Sequence, residues 1–207
     1  MRVLRELALH GGELTTTLLA RRTGVTDQSV RNVLRVLGRA DLLRVYGQGR
    51  AAAYQLDASH PVAAMLIQLF RAEDQRISAL YDRIARAARQ LDPPPLAVWV
   101  FGSVARGEDR AGSDLDLLLV VDEDGAAERA ADTFREELAG VEREHRVTIS
   151  VVPVSGTDVL RLARTDDPFW REMLSDAVVL HGRRPESLLS RLESRQRPAP
   201  PADAHDG

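Results

Sequence analysis

Two short apolar segments, each bordered by polar residues of a particular kind, constrain the fold of this 207-residue chain most strongly. The first, residues 96–101, reads Leu-Ala-Val-Trp-Val-Phe and ends at Gly102-Ser103. Ten residues later, Ser113-Asp114-Leu115-Asp116 opens the second, which continues as Leu-Leu-Leu-Val-Val. Short apolar runs bounded by turn residues are typical of buried strands. The sequence therefore predicts two such strands, with a glycine turn after one and two carboxylates at the start of the other.

The spacing of Asp114 and Asp116 predicts a metal site. Residues two apart on a strand point to the same face, so the two carboxylates repel each other unless a cation lies between them. Hard oxygen ligands favour Mg²⁺ or Mn²⁺. Gly102 and Ser103 are expected where a strand turns into a helix, because glycine lets a backbone N–H approach a phosphate closely and helix N-termini favour anions. A triphosphate-binding turn opposite a metal-binding pair can move a nucleotidyl group.

Gly-Ser, ten residues and Asp-x-Asp together resemble the signature of the DNA polymerase β superfamily, particularly its minimal nucleotidyltransferase branch. Ala105-Arg106-Gly107 after the Gly-Ser pair and Ser113 before the first Asp match that branch too. The resemblance implies that Gly102 and Ser103 hold the β- and γ-phosphates of an NTP, with Ser113 part of the nucleotide site. It implies that Asp114 and Asp116 are catalytic and bind two Mg²⁺ ions. Arg106 is expected either to neutralise phosphate charge or to act as a surface cap.

Enzymes of this superfamily usually carry a third carboxylate on a later strand, where it binds the catalytic metal and helps deprotonate the attacking hydroxyl. In the strand predicted after residue 146, Thr148 and Ser150 stand at the alternating positions instead of Asp. A hydroxyl is a poor base near neutral pH. Either the domain binds a nucleotide without transferring it, or another side chain replaces the missing acid, for which the candidates are Glu142, Glu144, Asp158 and His145.

The first module, residues 1–57, shows three helical stretches followed by two short strands around Gly47-Gln48-Gly49. Thr15 or Thr16 is a candidate cap for the second helix and Thr26 for the third. This order, and the segment from Leu14 to Leu34, resemble the winged helix-turn-helix of ArsR- and MarR-type bacterial regulators. The resemblance implies binding of double-stranded DNA through the third helix and the wing.

Polar residues off the apolar face of the third helix are of types that bond base edges and phosphates. Two arginines flank the expected wing and are candidates for contacts with backbone phosphates. A polar helix face that is merely solvated, or a winged helix that binds protein, remains the alternative. The candidate DNA-binding residues are Gln28, Ser29, Arg31, Asn32, Arg35, Arg44 and Arg50.

One long connecting helix is expected within residues 58–92, because no helix breaker interrupts residues 62–91. Its apolar residues are spaced mostly by three and four, as in a heptad seam. The helix either packs on its own domains or forms a homodimer suited to two DNA half-sites. Residues 93–95 are all proline and mark a boundary, and residues 183–207 are expected to form a largely disordered tail. The predicted seam contains Val62, Leu66, Leu69, Ile77, Leu80, Ile84 and Leu91.

The amino-acid composition excludes several kinds of catalytic and metal-binding site. The chain has no cysteine and no lysine, and all 28 basic residues are arginine, which excludes disulfides, thiolate metal sites and cysteine or lysine nucleophiles. Residues 1–57 hold nine arginines and five acids, whereas residues 96–182 hold nine arginines and eighteen acids. This division predicts two modules with different partners. With no apolar run long enough for a bilayer and no signal peptide, a cytoplasmic protein without a membrane partner is expected.

The sequence predicts an α+β protein with a winged helix-turn-helix at residues 1–57, a linker helix at 58–92 and a small mixed-sheet nucleotidyltransferase domain at 96–182. The leading hypothesis is a DNA-binding regulator whose second module binds Mg·NTP and transfers NMP to a hydroxyl of a protein, an RNA end or a small molecule. One alternative is a catalytically silent regulator that senses a nucleotide. Another is an antitoxin-like protein that modifies or masks a toxin.

Overall fold

The computed structural model describes residues 1–106 and 114–196. Helices and two small sheets build a mixed α+β architecture. The chain divides into two compact units, Met1–Ser78 and Ala79–Gly207. The boundary lies within one long helix, Pro61–Gln90, which falls inside the segment 58–92 that the sequence predicted as a linker helix.

The first unit contains the three helices and the hairpin in the predicted order. An additional short strand, β1, was not expected from the sequence; it pairs antiparallel with β3, which also pairs antiparallel with β2. The strand order is therefore β1-β3-β2. The elements are α1 (Arg2–His10), β1 (Leu14–Thr15), α2 (Thr16–Thr23), α3 (Asp27–Arg39), β2 (Leu43–Tyr46) and β3 (Ala53–Leu56).

Local side-chain chemistry sets the helix ends of this unit. The hydroxyl of Thr15 accepts the N–H of Leu18 at the start of α2, and the hydroxyl of Thr26 accepts the N–H of Ser29 at the start of α3. Such caps satisfy N–H groups that the first turn of a helix leaves unpaired. Both predicted caps are thus confirmed. The interior faces of α1, α2 and α3 then bury Leu7, Leu19, Val30 and Leu34 in one core.

The connecting helix, α4 (Pro61–Gln90), contributes to a different core at each end. Ala63 and Phe70 are buried in the core of the first unit. Leu80, Ile84 and Leu91 are buried in the core of the second. Leu80 and Ile84 of α4, and Leu91 directly after it, thus pack on their own domain, which was one of the two predicted alternatives for this segment. Val62 and Leu69 of the seam are 50% and 59% exposed, and the homodimer stays a prediction.

The second unit is a four-stranded sheet of order β6-β5-β4-β7 with helices around it. β4 pairs antiparallel with β5 and β7, and β5 pairs parallel with β6. The two strands predicted from the apolar runs are the central pair. The elements are β4 (Ala97–Phe101), α5 (Gly102–Ala105), β5 (Leu115–Val121), α6 (Ala127–His145), β6 (Ile149–Ser155), α7 (Gly156–Arg164), α8 (Pro168–Asp176), β7 (Val178–Gly182) and α9 (Pro185–Gln196).

Helices cover both faces of this sheet, so alternate residues of β5 are buried on opposite faces. Leu115, Leu117 and Leu119 pack with residues of α4 and α6. Leu118 and Val120 pack with residues of α7, α8 and α9. Buried on both faces, β4 and β5 read as continuous apolar runs rather than alternating ones.

The helix α9 corrects the expectation of a largely disordered segment from residue 183. Pro185–Gln196 form a helix, and its Leu188 and Leu192 are 1% and 6% exposed in the core that includes Trp99 and Trp170. Tertiary burial of these two leucines stabilises a helix that the polar composition of the segment hides. Among the described residues, none of the helices combines the length and apolarity needed to cross a lipid bilayer.

Gly182 offers a test of the β4–β7 pairing. It has φ +76°, and a Cβ there would lie 2.1 Å from the carbonyl oxygen of Leu96. We expect Gly182→Ala to lower the free energy of unfolding of the second unit by about 2 kcal/mol or more. Gly140→Ala is the matched control: it lies within α6 with nothing within 4 Å of the added Cβ, and should raise stability by about 0.5–1 kcal/mol.

Both tryptophans of the chain, Trp99 and Trp170, belong to the second unit. Their fluorescence in a urea titration therefore reports the unfolding of that unit alone. Equal stability of Gly182→Ala and the unsubstituted protein would contradict the described register of β7.

Candidate functional site

The glycine turn and the second aspartate of the motif are in direct contact. β4 ends at Phe101, and Gly102 opens the single-turn helix α5 with φ +75°. A Cβ on Gly102 would lie only 2.8 Å from Oδ2 of Asp116. This position requires glycine for two reasons, the left-handed backbone and the carboxylate packed against it. The structure thus brings together the two halves of the sequence motif.

The pair of aspartates lies at the start of β5. Asp116 is partly buried and is paired in register with Phe101 of β4, while Asp114 is exposed just before the strand. Burial raises the pKa of Asp116, and the neighbouring charges of Asp114 and Glu172 raise it further. The carboxylates of Asp114 and Asp116 are therefore close enough to repel each other, which is the condition under which a divalent cation is bound strongly.

The position expected to hold a third carboxylate carries hydroxyl groups. Ser150 of β6 is the parallel register partner of Asp116, and Leu115 donates its N–H to the carbonyl of Thr148 at 2.8 Å. Thr148 and Ser150 are both exposed. The register partner of Asp116 on the next strand is therefore a serine, one of the two hydroxyl residues that the sequence shows at the alternating positions of that strand.

The three acids considered as replacements are engaged elsewhere. Glu142 accepts the N–H of Ile149 at 2.8 Å, and Glu144 forms an ion pair with Arg83 at 3.2 Å. Asp158 belongs to the capping box of α7, where a hydrogen bond from the backbone of Ser155 lowers its pKa. Each of these carboxylates has a structural partner, and a role as general base for any of them stays a prediction. The fourth candidate, His145, is the last residue of α6.

Glu172 is the acid that the sequence reasoning missed. It lies on α8 and is near enough to Asp116 to raise the pKa of that carboxyl. Its carboxylate forms an ion pair with Arg106, whose guanidinium is also 4.0 Å from Asp176. No sequence signal identifies Glu172, because its proximity depends on how α8 packs on the sheet.

Two aromatic contacts fix α8 on β4. Phe169 meets Phe101 edge-to-face, with ring centroids 5.3 Å apart, and Trp170 lies 6.1 Å from Trp99. Trp170 is 3% exposed and belongs to the core that includes Trp99. Trp99 also donates its indole N–H to the carbonyl of Arg183 at 2.8 Å. The helix that carries Glu172 is therefore held in a defined position over the turn.

The donor set of Asp114 and Asp116 fits Mg²⁺ or Mn²⁺. Both ions take carboxylate oxygens, and Mg²⁺ commonly binds through one or two carboxylates with phosphates and water completing its shell. Within residues 1–106 and 114–196, no group of three acidic or histidine side chains forms a metal site by itself. Ser113, predicted to belong to the nucleotide site, lies outside the described residues.

In the first unit, the structure places the candidate DNA-binding residues of α3 on its exposed side. Arg35 and Gln28 both donate to Oδ1 of Asn32, at 3.1 and 3.2 Å. Arg31 lies 3.6 Å from Asp27. Together with Ser29, these side chains form an exposed polar surface.

Arg44 on β2 is engaged within the first unit. Its guanidinium forms an ion pair with Asp57 at 2.9 Å and a hydrogen bond with Ser59 at 3.2 Å. Hydrogen bonds from Ser59, with Arg44 contributing, lower the pKa of Asp57 to about 2. The positive charge of Arg44 is thus partly compensated. The side chain of Arg50 lies outside the described part of the chain.

Comparison with known proteins locates a nucleotidyltransferase segment in the second unit. The family model of the nucleotidyltransferase domain matches residues 81–164, a range that contains Gly102, Asp114 and Asp116. This match supports the predicted nucleotidyltransferase resemblance. The comparison with curated proteins gives no match. Among solved structures, one described as "Crystal structure of the toxin-antitoxin with AMP-PNP" aligns with a TM-score of 0.39 and 18% identity, covering 56% of this chain and 85% of that chain.

The raised pKa of Asp116 predicts that this carboxylate lowers stability when no metal is bound. The loss of stability is present at any pH above the raised pKa. It disappears as the pH falls through that pKa, because the folded protein takes up the proton more readily than the unfolded chain. We expect Asp116→Asn to raise the Tm of the second unit by a few degrees at pH 7, and to give little difference below pH 3.8, the ordinary value.

Thermal unfolding followed by tryptophan fluorescence measures this effect. Added Mg²⁺ should raise the Tm of the unsubstituted protein more than that of Asp116→Asn. Asp132→Asn, which removes an exposed carboxylate paired with Arg135 on α6, is the control and should not raise the Tm. A lower Tm for Asp116→Asn at pH 7 without metal would contradict the described repulsion.

Proposed function

We propose that the second unit binds Mg·NTP and transfers NMP to a hydroxyl group of an acceptor. The observation that carries the proposal is the carboxylate of Asp116 lying against the left-handed turn at Gly102. A polyphosphate bound by the backbone of that turn would lie beside Asp114 and Asp116. The match of residues 81–164 to the nucleotidyltransferase domain supports the same chemistry.

In the proposed reaction, the acceptor hydroxyl forms a bond to the α-phosphorus while the bond from that phosphorus to the bridging oxygen breaks and pyrophosphate leaves. Asp114 and Asp116 would hold Mg²⁺, which when bound supplies charge stabilisation for the α-phosphate and the leaving pyrophosphate. Gly102 and Ser103 would hold the β- and γ-phosphates. The hydroxyl proton must leave as the bond forms, and it passes to solvent or to a base on the acceptor.

Nucleotide binding without transfer is the second candidate function, and Ser150 favours it. This serine lies in register with Asp116, and serine cannot accept the proton as a carboxylate does. Loss of a general base costs about 10²- to 10⁴-fold in rate. Binding of the nucleotide does not need that base, so a sensor of Mg·NTP would keep the turn and the aspartate pair and lose only the transfer.

A labelling experiment separates the two functions. The full-length protein is incubated with each NTP labelled at the α-phosphate, Mg²⁺ and cell lysate. For a transferase we expect label in an acceptor that falls at least about 100-fold with Asp114→Ala/Asp116→Ala. The control, Asp132→Ala/Asp166→Ala, removes two exposed carboxylates and should label normally. Binding of Mg·NTP without label above the aspartate double variant would establish the sensor and refute the transferase.

We also propose that the first unit is a winged helix-turn-helix that binds double-stranded DNA. The exposed polar side of α3 and the excess of arginine over acids in residues 1–57 support this assignment. Side chains such as Gln28 and Asn32 suit base edges, and Arg31 and Arg35 suit phosphates or guanine. The whole chain would then be a DNA-binding regulator with a fused nucleotide domain.

Arg35→Ala tests this assignment. Removing one phosphate or guanine contact should weaken binding to a duplex DNA pool about tenfold and lower the slope of log K against log salt by about 1. Fluorescence anisotropy at several salt concentrations measures both. Arg71→Ala, at an exposed position of α4, is the charge-matched control and should change neither. Equal losses in the two variants would show that net charge, not α3, governs binding.

A further inference from the structure

One apolar residue of α3 lies outside the core of the first unit. Val36 is 66% exposed, whereas Val30, Leu34 and Leu37 of the same helix are 0%, 5% and 8% exposed. A single exposed valine is ordinary on a protein surface, and in a helix it is less favourable than alanine because β-branching restricts its side chain. Val36 therefore contributes little to the fold, and its position on the helix decides what it can contact.

Val36 shares a face of α3 with the candidate base-reading side chains. Ser29, Asn32 and Val36 are spaced by three and four residues, so they lie on the same side of the helix. Gln28 donates to Oδ1 of Asn32 at 3.2 Å, and all four residues are exposed. The distance along the helix axis from Gln28 to Val36 is about 12 Å at ~1.5 Å per residue. This length corresponds to about three or four base pairs of DNA.

The charges of α3 favour DNA over a second copy of the chain as the partner of this face. The helix contains three arginines, Arg31, Arg35 and Arg39, and one acid, Asp27, and all four residues are exposed. A second copy placed on the same face would bring arginines against arginines, which costs free energy. The phosphates of a duplex instead neutralise these charges and release their own counterions.

We propose that Val36 contacts the C5-methyl group of a thymine in the major groove and so makes binding specific for thymine at that position. This inference rests on the proposed binding of double-stranded DNA by α3. The base edges in the major groove present hydrogen-bond donors, hydrogen-bond acceptors and one apolar group, the thymine methyl. A valine side chain bonds neither donors nor acceptors, so the methyl is the group that it can bury there. A cytosine at the same position would place its amino group against Val36 without a hydrogen-bond partner.

Replacement of thymine by uracil, which lacks only the C5-methyl group, tests the contact. The full chain first selects duplexes from a random pool, and each thymine of a selected duplex is then replaced in turn. Fluorescence anisotropy gives the Kd of each duplex. We expect uracil at the contacted position to raise the Kd about three- to fivefold, as exposing one buried methyl group does. Val36→Ala should bind the thymine and uracil duplexes equally, because the methyl then has no partner.

Val62→Ala is the matched control. It shortens a valine of α4 that is 50% exposed, and it should keep the full difference in Kd between the thymine and uracil duplexes. Val36→Ala is expected to fold, because Val36 is exposed and alanine is the better helix former, and far-UV circular dichroism checks its helix content. The uracil duplexes change the DNA and leave the protein unsubstituted, so they test the contact independently of how any variant folds.

Other outcomes overturn the inference in distinguishable ways. Equal Kd values for the thymine duplex and every uracil duplex overturn it and leave the proposed DNA binding intact. A uracil effect that persists in Val36→Ala also overturns it, because another side chain then contacts the methyl group. A changed sedimentation coefficient of Val36→Ala with an unchanged uracil effect assigns Val36 to a protein interface instead. An unsubstituted protein that binds none of the duplex pool at low salt refutes the proposed DNA binding and this inference with it.

Discussion

The close packing of the Asp116 carboxylate on the backbone of Gly102 is the constraint on which the candidate site depends. The antiparallel pairing of β4 with β5 sets Phe101 opposite Asp116, so the chain must turn away directly beside the carboxylate. Only a residue without a Cβ fits there, since an added carbon would lie 2.8 Å from Oδ2. The glycine and the aspartate of the motif are separated in sequence, yet the strand register makes them one structural feature.

That contact concentrates negative charge at one edge of the sheet. Asp114, Asp116 and Glu172 interact electrostatically, and Arg106 compensates part of the charge through Glu172. Carboxylates that repel one another in the free protein are the arrangement from which a divalent cation gains most. A site of this kind lowers stability when empty, and functional sites commonly do so because their groups are placed for a ligand rather than for folding.

The sequence predicted features that depend on short stretches of chain. The two apolar strands, the turn at Gly102, the caps Thr15 and Thr26 and the serine beside Asp116 all follow from local patterns. Features that depend on packing between residues far apart in the sequence were either not predicted or predicted wrongly. Glu172 approaches Asp116 only because aromatic contacts hold α8 on β4, and α9 forms because two leucines fill a core built by other elements. The apolar spacing along α4 left open whether the helix packs on its own domains or on a second copy, because that choice depends on distant packing.

Each acid that could replace the missing third carboxylate already has a partner in the fold. These acids are Glu142, Glu144 and Asp158. Glu142 and Asp158 each accept a backbone N–H, and withdrawing either carboxylate would leave that donor without its partner. Glu144 pairs with Arg83 at the exposed surface, where such a pair contributes little to stability. The fold therefore opposes a rearrangement that recruits Glu142 or Asp158 as a base. Glu172 is close enough to raise the pKa of Asp116, and its carboxylate is already paired with Arg106. The described residues thus provide for holding a nucleotide more completely than for deprotonating an acceptor.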